Sequence, residues 1–234
     1  MLSCEGLIIT GFPLVNQKKS LIMRNMDRIR VFSGGIAACN GYLLKTGDHS
    51  YIAVDAPEGF AEWIRSRRPD AVISDLLITH QHFDHVMDAA KLKKMFGCKI
   101  HAYSAYSDIL TLAQLATESW GMDLEIEPFE VDEVLGDKVR TAQWGDLIWH
   151  IHHIPGHSED SLVYQLPDDD LLFSGDVIFA GSIGRTDLPG GKLKLLLSGI
   201  SQKILNQPAT TNILPGHGPY TTVKSEILTN PFLS

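Results

Sequence analysis

Four potential metal ligands stand within six residues, and this cluster constrains the chain more than any other feature. Residues 79–85 read Thr-His-Gln-His-Phe-Asp-His, so His80, His82, Asp84 and His85 follow an H-x-H-x-D-H spacing. Imidazole nitrogens and carboxylate oxygens are ligands that divalent zinc, iron or manganese accepts. The apolar run 76–78 comes directly before the cluster and predicts a buried strand. The strand end would therefore present the ligands at one edge of a sheet.

Three further candidate ligands lie in turns, each after a predicted strand. His157, Asp176 and His217 each follow a glycine directly. Glycine lets the backbone turn sharply and approach an ion closely. One Gly-His or Gly-Asp pair alone is usually an ordinary turn, but the three together supply ligands that the first cluster lacks. The sequence therefore predicts a metal site built from several strand ends.

The periodicity of apolar residues predicts an α+β protein. Strands are predicted over residues 29–32, 41–44, 51–54, 76–78, 99–102, 129–131, 139–142, 147–154, 162–166, 171–173 and 212–214. Helices are predicted over 58–68, 84–97, 104–119, 193–204 and 222–228. Runs of strands interleaved with helices indicate two sheets packed together with helices outside.

Composition excludes two classes of partner. The net charge is −8, whereas proteins that bind a phosphate backbone present a basic surface, so no nucleic-acid partner is expected. No apolar run approaches the roughly 18 residues that cross a bilayer, so no membrane partner is expected either. The 234 residues suit one large domain or two small ones.

The cysteines and the N-terminal residues indicate the cellular compartment. Cys4, Cys39 and Cys98 are odd in number and widely spaced, which argues against a disulfide framework and fits a reducing compartment. We interpret Cys39 and Cys98 as ordinary buried thiols, since neither has a ligand-like context. Residues 1–27 are basic and faintly resemble a transit peptide. We predict a non-catalytic extension over 1–27, a domain over 28–234 and a cytoplasmic protein.

In their order along the chain, the candidate ligands resemble those of the metallo-β-lactamase superfamily, and most of all its glyoxalase II (hydroxyacylglutathione hydrolase) branch. The resemblance runs from about residue 29 to the C-terminus. It implies a four-layer αββα sandwich with two divalent ions at one edge. It divides the ligands between a first ion held by His80, His82 and His157, a second ion held by Asp84, His85 and His217, and a shared bridging ligand, Asp176.

The resemblance also implies a mechanism. A hydroxide on the two ions would attack the acyl carbonyl of a small-molecule thioester, with Asp84 as a ligand or as an acid or base beside one metal. Zinc is the expected metal, and iron or manganese stay open. The loop 181–191 is similar to one in short glyoxalase-II-like proteins. In it, Arg185 would steady a substrate carboxylate or orient Asp187, and a surface ion pair is an equal alternative.

Some features of the sequence differ from those typical of the glyoxalase II branch. The C-terminal helical domain with which full-length glyoxalase II contacts glutathione is not expected in a chain ending at Ser234. Glu159 and Asp160 follow the His157 turn and are predicted near the metal mouth. His150 and His152 are expected to be solvated.

The nearest alternative is a persulfide dioxygenase-like oxidoreductase. It would hold a single iron through two histidines and one aspartate, namely His80 or His82, His157 and Asp176. A β-lactamase is less expected, because those with two zincs often use a cysteine where this chain has Asp176.

Overall fold

A computed structural model describes residues 26–233 of the chain. Residues 1–25, which make up nearly all of the predicted extension, lie outside the described residues. Within the described part, the strands form two six-stranded sheets and a two-stranded hairpin. None of the helices in this part is long and apolar enough to span a bilayer.

The first sheet has the strand order β1-β2-β3-β4-β5-β6. Its strands are β1 (Ile29–Gly34), β2 (Cys39–Lys45), β3 (Ser50–Val54), β4 (Val72–Leu77), β5 (Lys99–Ala102) and β6 (Glu133–Val134). The first three pair antiparallel, whereas β3 to β6 pair parallel. Parallel neighbours need crossover connections. Helices supply them: α1 (Phe60–Arg67), then α2 (Phe83–Val86) and α3 (Ala89–Phe96), then α4 (Asp108–Thr111) and α5 (Ala113–Trp120).

The second sheet has the strand order β14-β13-β10-β9-β8-β7. Its strands are β7 (Thr141–Trp144), β8 (Leu147–His153), β9 (Leu162–Leu166), β10 (Leu171–Gly175), β13 (Asn212–Pro215) and β14 (Thr221–Thr222). Between the parallel strands β10 and β13 lie the hairpin β11 (Ile178–Phe179) and β12 (Ser182–Ile183) and helix α6 (Leu193–Gly199). Helix α6 continues as a π-helix over Ile200–Ile204, and α7 (Val223–Thr229) follows β14.

Three apolar cores separate four layers. Successive residues of a strand face opposite sides, so Leu43 of β2 packs with Phe60 of α1, while its neighbour Leu44 packs with Trp149 of the second sheet. A third core joins the outer face of the second sheet to α6 and α7, and includes Val163, Leu172, Leu196, Ile213 and Val223. The order helices, sheet, sheet, helices confirms the predicted α+β four-layer αββα sandwich.

The predicted helix over 84–97 is wrong in one respect, because the structure breaks it into α2 and α3. Ala56 donates its backbone N–H to the carbonyl of His85 at 2.8 Å and accepts the N–H of Asp88 at 2.9 Å. Asp88 Oδ2 also accepts the N–H of Ala61 at 2.9 Å. These bonds replace the helical ones at the break, and they fix the backbone of His85 against the end of β3.

Two other predicted elements differ from the structure. The helix over 104–119 is two helices, α4 and α5, because Leu112 between them has a left-handed φ of 56°. The strand over 129–131 is absent: Phe129 packs into the first core without strand pairing, and the next paired strand is β6. Burial alone explains the apolar pattern there, so the pattern did not require a strand.

Candidate metal centre

The structure brings all seven predicted ligands together at one edge of the two sheets. His80 and His82 lie in the loop after β4, and Asp84 and His85 in α2. The other three lie in the turns that follow β8, β10 and β13, whose carboxyl ends point to the same edge. These three are His157, Asp176 and His217. The strand-end placement predicted from the sequence is therefore what the fold produces.

The first subsite consists of His80, His82 and His157, whose ligand nitrogens lie within 4.8 Å of one another. His157 Nε2 lies 2.9 Å from His82 Nδ1. The opposite nitrogens of two of these rings have partners: His80 Nδ1 lies 3.2 Å from Thr79 Oγ1, and His157 Nδ1 lies 2.8 Å from the carbonyl of Arg185. Burial, and then the neighbouring His157, lower the pKa of His82 to about 3, so this imidazole is neutral and has a free lone pair at pH 7.

The second subsite consists of Asp84, His85 and His217. Asp84 Oδ2 lies 3.2 Å from His217 Nε2. Asp176 lies between the two subsites, since its Oδ1 is 3.2 Å from His85 Nε2 and its Oδ2 is 3.5 Å from His157 Nε2. This is the position that the family resemblance implies for a bridging ligand.

The charge of the second subsite favours a bound cation. Burial opposes a charge on His217, but hydrogen bonds to Asp176 and Asp84 outweigh it and raise the pKa of His217 to about 10. Burial likewise opposes a charge on His85, yet Cys39, Asp55 and the other nearby acidic groups raise its pKa well above the usual range. The carboxylates thus retain protons on both imidazoles, and a divalent ion would satisfy the same negative charge.

The donors fit a pair of divalent ions. Three buried atoms have no hydrogen-bond partner and face the two subsites: His80 Nε2, His85 Nε2 and Asp176 Oδ1. Buried polar atoms without a partner are rare in folded proteins and often mark an ion site. Imidazole and carboxylate donors in this number suit zinc, iron or manganese.

Asp55 and Thr79 support the centre, and the sequence did not reveal either role. Asp55 Oδ2 accepts from His85 Nδ1 and from Thr79 Oγ1, both at 2.8 Å, and its Oδ1 accepts the N–H of Thr79 at 2.7 Å. The second nitrogen of a metal-binding histidine is typically held by such a carboxylate, which orients the ring. The signal in the sequence was a carboxylate directly after a strand of the same sheet.

The position of Cys39 shows that one sequence prediction was wrong. We expected an ordinary buried thiol without a ligand-like context, but the structure places Cys39 Sγ within 4.8 Å of ligand atoms of Asp84, His85 and His217. The backbone explains the error, because Cys39 forms an isolated β-bridge with His217 across the two sheets. Cys98 is buried in the first core, as predicted.

A cavity of about 500 Å³ opens above the ligands. Its wall is largely apolar and includes Leu112, Trp120, Met122, Phe179, Ile183 and Leu188. Arg185 also lines the cavity; its guanidinium donates two hydrogen bonds of 2.7 Å to Asp187 and lies 5.9 Å from the centre of the Trp120 ring. Among the predicted alternatives for Arg185, an ion pair with Asp187 is therefore present, at the mouth of the cavity.

The predictions for four polar residues around the site are wrong. Asp160 is buried rather than at the mouth, because it accepts hydrogen bonds from the Gln81 N–H at 2.9 Å and from Ser158 Oγ at 2.5 Å. Glu159 is exposed but points toward Lys192, 3.9 Å away, instead of lining the cavity. His150 and His152 are both half-buried, not solvated, and His152 Nε2 lies 2.9 Å from Gln165 Oε1.

Comparison with known proteins establishes the family. A family model of the metallo-beta-lactamase superfamily matches residues 38–217, a range that contains all seven predicted ligands, and the chain belongs to this superfamily. Hydroxyacylglutathione hydrolase GloC of Haemophilus influenzae is 34% identical over 190 residues, which is 80% of this chain and 89% of that protein.

Two solved structures extend the comparison. The BLEG-1 B3 metallo-beta-lactamase is 31% identical with a TM-score of 0.77, covering 88% of this chain and 99% of that one. TTHA1623, solved in a di-iron-bound form, is 29% identical with a TM-score of 0.70, covering 87% of this chain and 100% of that one. The chain is thus similar over most of its length to proteins of this fold, one of which holds two metal ions.

Proposed function

We propose that this protein is a binuclear metal-dependent hydrolase that cleaves a small-molecule thioester, as glyoxalase II does. One observation carries the proposal: two complete ligand sets converge on a shared carboxylate, Asp176, at the floor of an open cavity. The similarity to a hydroxyacylglutathione hydrolase supports the thioester. Zinc is the proposed metal because the predicted ligands are imidazoles and carboxylates, and iron is the alternative.

The residues of the chain prepare this chemistry. Two bound divalent ions supply Lewis acidity toward an acyl carbonyl and a water that is acidic enough to act as a nucleophile at neutral pH. His80 and His82 present neutral lone pairs, because burial lowers the pKa of each below its usual value. Asp84 lines the cavity with its side chain 13% exposed, so it can accept or return a proton on the substrate side as well as bind an ion.

The cavity wall favours a thioester with an apolar portion. A thioester lacks an N–H donor, and the apolar wall of Trp120, Met122 and Phe179 offers it van der Waals contact without unpaired polar groups. Arg185 is the one arginine or lysine that lines the cavity among residues 26–233. We propose that it contacts a substrate carboxylate at the mouth, in competition with Asp187.

The alternative, a one-iron persulfide dioxygenase, needs only His80 or His82, His157 and Asp176. These residues do converge here. The donors of the second subsite converge just as closely, which favours two ions over one. Oxygen consumption distinguishes the two functions, since hydrolysis uses none.

The test is hydrolysis of S-D-lactoylglutathione and of a panel of more apolar acyl thioesters by the purified, metal-loaded protein. We expect turnover of thioesters without oxygen uptake, and loss of turnover in Asp84→Asn with metal content checked in parallel. Asp75→Asn, which changes a buried carboxylate outside the centre, is the matched control and should keep its activity. Oxygen uptake on glutathione persulfide without thioester turnover would make the dioxygenase the correct function.

A further inference from the structure

We propose that Cys39 is a ligand of the second metal subsite. The inference rests on the two-ion centre proposed above and adds a thiolate to its donor set. The second subsite would then hold a thiophilic divalent ion, zinc first among them, through a sulfur, two imidazoles and a carboxylate. The first subsite, with three imidazoles, would remain free of sulfur.

The geometry of the four donors supports one ion among them. Cys39 Sγ and the ligand atoms of Asp84, His85 and His217 all lie within 4.8 Å of one another. Zinc–sulfur and zinc–nitrogen bonds of about 2.3 and 2.0 Å allow ligands of one ion to be at most roughly 4.3 Å apart. Small side-chain movements would therefore bring all four donors to bonding distance.

An independent observation points to a ligand at the same place. His85 is fully buried, and its Nε2 has no hydrogen-bond partner, while its Nδ1 is held by Asp55. Cys39 is also fully buried, and its Sγ lies beside His85 and 3.8 Å from the carbonyl of Asn40, its neighbour in sequence. The thiol and the imidazole nitrogen thus lie together at a buried place where the nitrogen makes no well-aligned hydrogen bond, although Asp176 Oδ1 lies 3.2 Å from it.

The backbone holds Cys39 rigidly against the turn that carries His217. Asn40 donates its backbone N–H to Gly216 at 2.7 Å, and its side-chain amide donates to the carbonyls of Pro215 and Gly218 at 3.0 and 2.9 Å. His217 Nδ1 lies 3.2 Å from the carbonyl of Ala37. The same short segment therefore orients one imidazole of the subsite and places the thiol beside it.

Binding through sulfur would make the two subsites chemically different. The S–H bond breaks, an S–metal bond forms, and the proton passes to solvent, so no oxidant or reductant is involved. The added thiolate gives the second subsite a softer donor and more negative charge than the first. The second subsite should therefore prefer zinc or cadmium over manganese, and should bind zinc more tightly than the first.

The test is X-ray absorption at the zinc edge on protein loaded with two equivalents of zinc, in a sulfur-free reductant. The reference protein is Cys4→Ser with Cys98→Ser, which keeps Cys39 as its one cysteine. We expect a zinc–sulfur shell at about 2.3 Å. Adding Cys39→Ser should remove this shell, and circular dichroism of the metal-free form checks that the triple variant folds.

The spectrum of the reference protein tests the role of Cys39 even if the triple variant does not fold. Zinc bound without a sulfur shell would overturn the role of Cys39, whatever the number of ions. Zinc content is measured separately on the same sample: fewer than two ions per chain would contradict the binuclear centre even if sulfur is present. The failure of one proposal is therefore distinguishable from the failure of the other.

Discussion

At the scale of single residues, Asp55 decides which nitrogen of His85 faces the second subsite. It accepts from His85 Nδ1 at 2.8 Å and is itself fixed by two hydrogen bonds from Thr79. Replacing it with alanine leaves the ring free to rotate. We expect Asp55→Ala to weaken metal binding at the second subsite by roughly 10–100-fold, measured by competition with a chromogenic chelator.

The control for this prediction is Asp75→Ala. Asp75 is also buried on a strand of the same sheet and also accepts from a buried histidine, His101, at 2.8 Å, but that histidine is not a predicted ligand. The two variants should lose similar stability, while only Asp55→Ala loses metal affinity. Equal losses of affinity would show that Asp55 acts through general stability alone.

Gly216 gives a second prediction at this scale. A Cβ there would lie 2.2 Å from Asp176 Oδ1 and 2.6 Å from His85 Cε1. Gly216→Ala should therefore displace both of these side chains, one a carboxylate ligand and the other an imidazole ligand. We expect the loss of most hydrolytic activity and of one metal ion per chain. Gly218→Ala is the control: its φ of 73° makes alanine strained by about 1 kcal/mol, yet its Cβ meets nothing within 4 Å. A folded, fully active Gly216→Ala would contradict the account.

The seven predicted ligands could be proposed from the sequence because each belongs to a short local pattern, and the structure brings them together. Asp55 and Cys39 could not be recognised in the same way. Asp55 lies 30 positions before His85, and Cys39 meets His217 only because β2 and β13 approach each other at the site edge. Such contacts depend on the order of strands in the sheets, which periodicity does not reveal.

At the scale of elements, α4 and α5 form one wall of the cavity. Leu112, Trp120 and Met122 from this region line it, and Trp120 lies beside Arg185. Removing the indole of Trp120 should remove contacts with the substrate without displacing the metal ligands. We expect Trp120→Ala to lower kcat/KM for apolar acyl thioesters by about tenfold or more, mainly through KM, measured by steady-state kinetics.

The matched control is Ile109→Ala, because Ile109 lies on α4 but is 82% exposed and does not line the cavity above the ligands. It should leave KM unchanged. A fall in kcat with unchanged KM in Trp120→Ala would indicate instead that the wall positions the reacting groups.

The same elements show why helix boundaries were predicted less well than helix positions. The apolar stripe of 84–97 correctly predicted helical structure, but tertiary hydrogen bonds to Ala56 interrupt the helix at Asp88. This break fixes the backbone of α2, which carries Asp84 and His85. A left-handed Leu112 similarly divides the next helical region. No glycine or proline in the sequence marks either interruption.

At the scale of the whole molecule, the carboxylates that gather at the site edge couple metal binding to pH. The pKa of His217 is raised to about 10, so its ring is protonated at pH 7, and His85 is shifted in the same direction. Both must lose a proton from Nε2 to bind an ion. Zinc affinity should therefore rise with pH from 7 toward 10, as the protons that compete for these nitrogens are lost.

We expect zinc binding to the second subsite at pH 7 to release about two protons from these rings, and one more if Cys39 binds. Titration calorimetry in two buffers of different ionisation enthalpy measures the number directly. Binding without proton release would show that these imidazoles are already neutral in the metal-free protein.

The two-sheet architecture was predictable from the sequence because strands occur in runs and helices lie between them. The order of strands was not, since parallel pairing of β10 with β13 joins segments separated by a hairpin and a helix. That pairing is what brings Asp176 beside His217, whose Nε2 lies 3.4 Å from Asp176 Oδ2. The sequence therefore predicted which residues could serve as ligands, but not the strand pairing that brings Asp176 and His217 together.

In the proposed function, two ions act together on one substrate. The most direct measurement is titration of the metal-free protein with zinc while thioester hydrolysis and bound zinc are followed in the same samples. We expect little activity at one equivalent of zinc and a steep rise as the second equivalent binds. Full activity at one equivalent, with no further gain at two, would contradict the proposed function.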